Sequence, residues 1–203
     1  TSSVHFWTPV SMSNSQPPTF PIRPISASSS WPAARASSAR ARSAASARNS
    51  STACRNSSTC AAFTGVVRGF VLGDPTDEQT YIGPLARREA QIAVLERQVA
   101  DARARGARIL TGGARVSRPG SFFEPTVLVD VDHDMLVMRE ETFGPLIGLM
   151  RVRSDEEAVR LMNDTEYGLT AAVYSRDRAR AQHLLARLDT GTAYWNCCDR
   201  VSP

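Results

Sequence analysis

The sequence predicts an α/β protein in which a mainly parallel sheet with flanking helices occupies residues 64–203. Short apolar runs typical of strands alternate there with segments whose apolar residues recur at helical spacing. Strands that alternate with helices form βαβ units, so we expect parallel pairing. A break in composition near residue 64 is the second observation, and it predicts a disordered Ser/Arg/Ala-rich segment at residues 1–63.

The first predicted helix spans residues 87–105, and Gly106 ends it, as glycine commonly does after a helix. A short strand is predicted at residues 107–110, and an extended run rich in Phe and Val at residues 122–131. The apolar residues of the helix recur along one face: Ile92, Leu95, Val99 and Ala102. We therefore expect this face to contribute to the core.

The second half of the domain continues the alternation of helices and strands. The sequence SDEE at residues 154–157 has the form of a capping box and predicts the start of a helix. A strand is expected at residues 169–174, a helix from Asp177, and a final strand at residues 192–196. The apolar residues of the two helices are Ala158, Val159, Leu161 and Met162, then Ala181, Leu184, Leu185 and Leu188.

Charge divides the chain into the same two parts. Residues 1–73 contain seven Arg and neither Asp nor Glu, whereas residues 74–203 contain 17 Arg and 20 acidic residues. Residues 1–60 contain 17 Ser and few large aliphatic side chains, too few to offset the entropy of ordering the segment. One interpretation is an Arg/Ser arm that binds nucleic acid, which the sparse arginines make the weaker one. The other is a mis-framed translation of GC-rich DNA.

Several classes of protein are disfavoured by composition. No apolar run reaches the roughly 18 residues that a membrane span needs. The chain has four Cys and none forms a CxxC pair, so we expect a cytoplasmic protein rather than a disulfide scaffold. The three His are too scattered to predict a metal site or a Ser-His-Asp triad. The glycine-rich motifs that bind phosphates are absent from the sequence.

Two short segments carry the candidate chemistry. EETFGP at residues 140–145 places two carboxylates before an aromatic ring and a rigid Gly-Pro turn. A carboxylate can accept hydrogen bonds from two ribose hydroxyls, and a neighbouring ring can pack on a nicotinamide riboside. The alternative, favoured by the residues alone, is a surface turn with a buried Phe. Cys197 and Cys198 are better interpreted as small residues at a strand end than as nucleophiles.

Seven short motifs occur in the order and spacing of aldehyde dehydrogenases, so residues 64–203 resemble part of the catalytic domain of that family. The motifs are VLGDP at 71–75, IGP at 82–84, GG at 112–113, FFEPTV at 122–127, EETFGP at 140–145, NDTEYGL at 163–169, and GT at 191–192 followed by Asn196. Each motif alone is weak, whereas their joint occurrence is specific.

The resemblance implies an NAD- or NADP-dependent oxidation of an aldehyde to a carboxylic acid through a cysteine thiohemiacetal, in a homo-oligomer. Glu141 matches the glutamate that binds the nicotinamide ribose hydroxyls, and Phe143 matches the ring beside that ribose. Asn196, Cys198 and Asp199 match a loop that lines the aldehyde pocket. These five residues are the candidate cofactor and substrate contacts.

The same resemblance assigns no catalytic residue to this chain. It places the nucleophilic cysteine near position 44, where the sequence reads SAAS at residues 43–46. Cys54 and Cys60 lack the expected Gly-Gln-x-Cys context, and the general-base glutamate and the cofactor domain are not recognisable. We therefore expect a fragment that is inactive by itself. The rival hypothesis is a non-catalytic binding or partner protein with an Arg/Ser-rich arm.

Overall fold

The computed structural model describes residues 58–197, which form five helices and five strands. Residues 1–57, which hold most of the predicted low-complexity segment, and the predicted pocket residues Cys198 and Asp199 lie outside the described residues. The helices are α1 (Ser58–Arg68), α2 (Arg88–Ala104), α3 (Leu136–Arg139), α4 (Asp155–Asn163) and α5 (Arg178–Leu185). The strands are β1 (Arg108–Thr111), β2 (Thr126–Val129), β3 (Leu146–Leu149), β4 (Thr170–Val173) and β5 (Thr192–Trp195).

The first sheet has the strand order β1-β2-β3, with β2 in the centre. Strands β2 and β3 run parallel, with Thr126 opposite Leu146 and Val129 opposite Leu149. Strand β1 pairs with β2 in the antiparallel direction, which the alternation of helices and strands does not indicate. The segment that joins these two strands contains no helix, and an antiparallel pair does not need a helical crossover.

Helices cover both faces of this sheet. Val127 and Val129 of β2 pack in one cluster with Cys60 and Val67 of α1. Leu128, which points to the opposite face, joins the larger cluster formed by α2, which also contains the predicted core residues Ile92, Leu95, Val99 and Ala102. All four residues of β2 are buried, so this strand forms the middle layer of the domain.

The second sheet consists of β4 and β5, which pair in parallel, with Thr170 opposite Thr192. Helices α4 and α5 pack on it through Val159, Ala181 and Leu184, which cluster with Val173. His133 and Arg139 hydrogen bond to Asp164 at the end of α4 and so link this unit to the first one. The prediction of an α/β fold with mainly parallel pairing is confirmed, and the strands form two small sheets rather than one.

The predicted helix starts are confirmed in detail. The Ser154 hydroxyl accepts a hydrogen bond from the Glu157 backbone N–H at 3.2 Å, and Asp177 accepts one from Arg180 N–H at 3.0 Å. The Glu157 carboxylate accepts from the Arg153 N–H at 2.6 Å rather than from Ser154, which is a variation on the capping box.

The sequence did not predict three of the elements, namely α1, α3 and β3. Helix α1 crosses the predicted boundary between residues 63 and 64, in a stretch whose small residues and missing acids resemble the preceding segment. That boundary stays a prediction.

The first testable prediction concerns an ion pair between α4 and α5. The Arg180 guanidinium donates hydrogen bonds to both carboxylate oxygens of Asp155, and this lowers the pKa of Asp155 below its ordinary value of 3.8. A lowered pKa means that the pair stabilises the fold above pH 3.8, and that this stability is lost as the pH falls through the lowered value. We expect Asp155→Asn to cost about 1 kcal/mol at neutral pH, since the pair is partly buried.

Urea unfolding of the variant and the parent chain across the acid range measures this effect. The difference in the free energy of unfolding should shrink toward zero as Asp155 becomes protonated in the parent chain. Glu166→Gln, which removes one exposed carboxylate of the same unit, is the control and should change little. A constant difference at every pH would contradict the assignment.

Candidate functional site

The segment 140–145 forms a turn between α3 and β3 in which exposed and buried residues alternate. Glu141 and Phe143 are exposed, and Phe143 keeps 49% of its surface. Thr142 and Gly144 are buried between them. The alternative interpretation of this segment, a surface turn with a buried Phe, is therefore wrong about the Phe, although the segment is a surface turn. The turn presents a carboxylate and an aromatic ring to the solvent.

Helix α2 packs against the buried side of this turn. Gln91 is only 3% exposed, and its Nε2 donates a hydrogen bond to the carbonyl of Thr142. The Leu95 side chain lies directly against Gly144, where a Cβ atom would stand 2.8 Å from Leu95 Cδ1. Helix α2 thus contributes one hydrogen bond and one close apolar contact to the buried half of the turn.

The two adjacent glutamates have different surroundings. Arg97 Nη2 donates to Glu140 Oε2 at 2.7 Å, and Gln98 Nε2 lies 3.4 Å from the same oxygen. Among residues 58–197, the Glu141 carboxylate makes no hydrogen bond or ion pair, so its oxygens are free to accept hydrogen bonds from a ligand. The residue types alone do not distinguish the two carboxylates, and only the resemblance to the family singles out Glu141.

The backbone of the turn is strained at Phe143, whose φ angle is 45°. This left-handed conformation is uncommon for a bulky residue and persists only where the surroundings enforce it. Here the enforcement comes from both sides of Pro145: the Thr126 N–H donates to the Pro145 carbonyl at 2.7 Å, and the Leu146 N–H donates to the Gly144 carbonyl at 2.8 Å. Strain held in this way is typical of residues that contact ligands.

Asn196 follows the last residue of β5, in the second sheet. Its Oδ1 accepts from the Ser175 N–H and its Nδ2 donates to the Ser175 carbonyl, both at 2.9 Å. The side-chain amide therefore continues the pairing of β4 and β5 by one residue. Cys197 beside it is partly buried. The role of Asn196 in a substrate pocket stays a prediction, as do the roles of Cys198 and Asp199.

The EETFGP motif predicts the residues that the turn exposes but not the two residues that anchor it. Gln91 and Gln98 stand seven positions apart, so they share the buried face of α2 with Leu95. Two glutamines on an otherwise apolar helix face are the signal that could have revealed them, because buried amides need hydrogen-bond partners.

The part of the chain that the structure describes, residues 58–197, contains neither a membrane-spanning helix nor a metal-binding cluster. No helix there is both long and apolar enough to cross a membrane. No group of three or more His, Cys, Asp or Glu side chains is arranged there to hold a metal ion.

Taken together, the helices, the parallel strands and the carboxylate–aromatic turn define an α/β domain that exposes a carboxylate and an aromatic ring on one turn. The sequence profile of the Aldehyde dehydrogenase family matches residues 55–203, and the chain belongs to that family. The family expected from the seven motifs is confirmed.

Curated relatives point to the same family. The chain is 48% identical over 127 residues to a succinate-semialdehyde dehydrogenase [NADP(+)] of Deinococcus radiodurans, covering 63% of this chain and 26% of the relative. It is 38% identical over 125 residues to a betaine aldehyde dehydrogenase of Cereibacter sphaeroides, again covering 26% of that protein. The chain therefore spans about a quarter of the length of these relatives.

Solved structures agree on the fold. An NADP-dependent enzyme of Escherichia coli superposes with a TM-score of 0.66 at 37% identity, covering 68% of this chain and 29% of the other. A betaine aldehyde dehydrogenase of Staphylococcus aureus in complex with NAD+ gives a TM-score of 0.62 at 35% identity, covering 67% and 28%. In both cases the sequence identity is high enough to indicate a family relationship and not only a shared fold.

Proposed function

We propose that this chain is part of an NAD(P)-dependent aldehyde dehydrogenase, an oxidoreductase that converts a small aldehyde into a carboxylic acid. We further propose that the turn at 140–145 binds the nicotinamide ribose of the cofactor. The observation that carries the proposal is the exposed pair Glu141 and Phe143, held outward on a turn that Gln91 anchors. The names of the relatives, which include NADP(+) and NAD(P)+ enzymes, support either cofactor.

The residues present fit one edge of such a cofactor. An ionised carboxylate can accept hydrogen bonds from two vicinal hydroxyls, and charge-assisted bonds of this kind are the stronger ones. Glu141 is free to do so, and the ring of Phe143 can pack against the same ribose and the attached base. The bound cofactor supplies the hydride acceptor. What this chain contributes is the orientation of the nicotinamide riboside and the exclusion of water from one side of it.

Substrate and assembly are extrapolated from the relatives. Succinate semialdehyde and betaine aldehyde appear in their names, so we propose a small-molecule aldehyde as substrate. Asn196, Cys198 and Asp199 are the proposed contacts of this chain to the aldehyde. We expect the intact enzyme to be a homo-oligomer in the cytoplasm.

A second prediction is that this polypeptide does not oxidise aldehydes by itself. The reaction needs a nucleophilic thiolate, and the cysteines in the described part of the chain are a buried Cys60 on α1 and Cys197 after β5. Incubation of the purified chain with succinate semialdehyde and NADP+ should give no NADPH above the protein-free control. Aldehyde-dependent NADPH formation that survives repurification would contradict the prediction.

A third prediction tests the cofactor turn directly. Nicotinamide mononucleotide carries the ribose and base that Glu141 and Phe143 would meet, and NMR titration can measure weak affinities for it. We expect Glu141→Gln to weaken binding about 10-fold or more, because a neutral amide loses the charge-assisted acceptor.

Glu166→Gln is the matched control, since it removes one exposed carboxylate in the second sheet unit. It should leave the affinity for nicotinamide mononucleotide within about 2-fold of the parent chain, a change of less than about 0.5 kcal/mol. Equal losses in both variants, or no measurable binding by the parent chain, would argue against a ribose site at this turn.

A further inference from the structure

Glu140 and Glu141 are neighbours of the same chemical type, yet the structure places them in different environments. The Glu140 side chain is 31% exposed and lies against α2, where Arg97 and Gln98 contact one of its oxygens. Glu141 is exposed and unpaired among the described residues. The difference arises because exposed and buried residues alternate along the turn. The residue type is the same at both positions, so it does not explain the difference.

The contact with Gln98 is the longer of the two, but it is the one that involves a buried amide. Gln98 is fully buried, with an exposed fraction of 0%, and within residues 58–197 its Oε1 has no hydrogen-bond partner. Within the same residues its Nε2 has Glu140 Oε2 as a hydrogen-bond partner, and loss of that partner would leave a buried amide unsatisfied, which is costly. Arg97 adds an ion pair that balances the charge of Glu140. As a result, Glu141 carries the uncompensated negative charge of the turn.

We infer that Glu140 is a positioning residue, tied to α2 by Arg97 and Gln98, and that this tie directs Glu141 toward the ligand. Glu140 does not touch the ligand in this arrangement. The inference rests on the proposed function for the identity of the ligand, a nicotinamide riboside. The tie itself can be tested without any ligand.

The two glutamates form a matched pair of variants. Backbone amide exchange at Leu146 and Thr126 reports on the turn, because these N–H groups donate to the carbonyls of Gly144 and Pro145. We expect Glu140→Gln to accelerate exchange at both amides about 3- to 10-fold, since hydrogen bonds to a charged acceptor are replaced by neutral ones. Glu141→Gln should leave these rates within about 2-fold, because no hydrogen bond or ion pair of Glu141 is lost.

Arg97→Gln should reproduce the effect of Glu140→Gln, whereas Arg103→Gln should not, although Arg103 is an exposed arginine on the same helix. Exchange at Asn196, whose N–H donates to Val173 in the second sheet, serves as the reference for a part of the chain that these substitutions should leave unchanged. Reversing the pair, with R97E and E140R together, should restore slow exchange, because the amide of Gln98 can rotate and offer its unpartnered oxygen.

Binding of nicotinamide mononucleotide separates the inference from the proposed function. We expect Glu140→Gln to weaken binding about 3- to 10-fold, and the reversed pair to recover it. Unchanged exchange in Glu140→Gln, or equal acceleration in Glu141→Gln, would overturn the positioning role. If exchange behaves as expected and the parent chain binds no nicotinamide mononucleotide, the tie stands, whereas both the ribose site and the ligand-directing role assigned to Glu140 are refuted.

Discussion

Replacing Leu95 with alanine is expected to lower the free energy of unfolding by about 2–5 kcal/mol, the range for a large-to-small change in a core. Leu95 is completely buried, lies in the cluster that joins α2 to β2, and contacts Gly144 in the turn. The variant loses these contacts and leaves a cavity between the helix and the sheet, which the surrounding residues can fill only in part. Urea unfolding followed by far-ultraviolet circular dichroism measures the change.

Leu169→Ala is the control for this variant, because Leu169 is 77% exposed. The same three carbon atoms are removed there, with almost no burial lost, so the expected change is within about 0.5 kcal/mol. Equal destabilisation by the two variants would show that Leu95 is not at the centre of the core.

Adding a methyl group at Gly144 is expected to cost about 1–3 kcal/mol, since overpacking a filled core forces neighbours out of their preferred positions. The new Cβ would stand 2.8 Å and 2.9 Å from the two terminal carbons of Leu95, and a completely buried Leu95 has no free space to move into. Gly144→Ala should also weaken binding of nicotinamide mononucleotide, because Phe143 and Glu141 are displaced with the backbone.

The double variant Leu95→Ala, Gly144→Ala tests this explanation. The cavity left at residue 95 accommodates the methyl group at residue 144, so the combined loss of stability should be smaller than the sum of the two single losses by about 1 kcal/mol or more. Strict additivity would mean that the two residues do not contact each other in solution.

The sequence predicted the elements whose signals are local. The helix containing Ile92 and Leu95 follows from the spacing of its apolar residues, and the starts of α4 and α5 follow from the Ser154 and Asp177 caps. Strand β3 was missed because its four residues include Gly148 and carry no alternation. The antiparallel direction of β1 was missed because strand direction depends on contacts that lie far apart in the sequence.

The candidate site shows the same division. The residue types of EETFGP raise a ribose contact as one interpretation, because a carboxylate beside a ring is a local feature, and the resemblance to the family is what favours it over a surface turn. Which glutamate faces the solvent depends on α2, more than forty positions away, through Gln91, Arg97 and Gln98. No pattern within the turn itself contains that information.

The complete burial of β2 has a consequence for how the domain unfolds. This strand contributes Val127 and Val129 to the cluster with α1 and Leu128 to the cluster with α2, so neither layer can open without disturbing the other. The first sheet and its helices should therefore behave as one cooperative unit. The β4–β5 unit has its own small cluster and can open at lower free-energy cost. Amide exchange should accordingly be slowest around β2 and faster from α4 onward, that is, from residue 155.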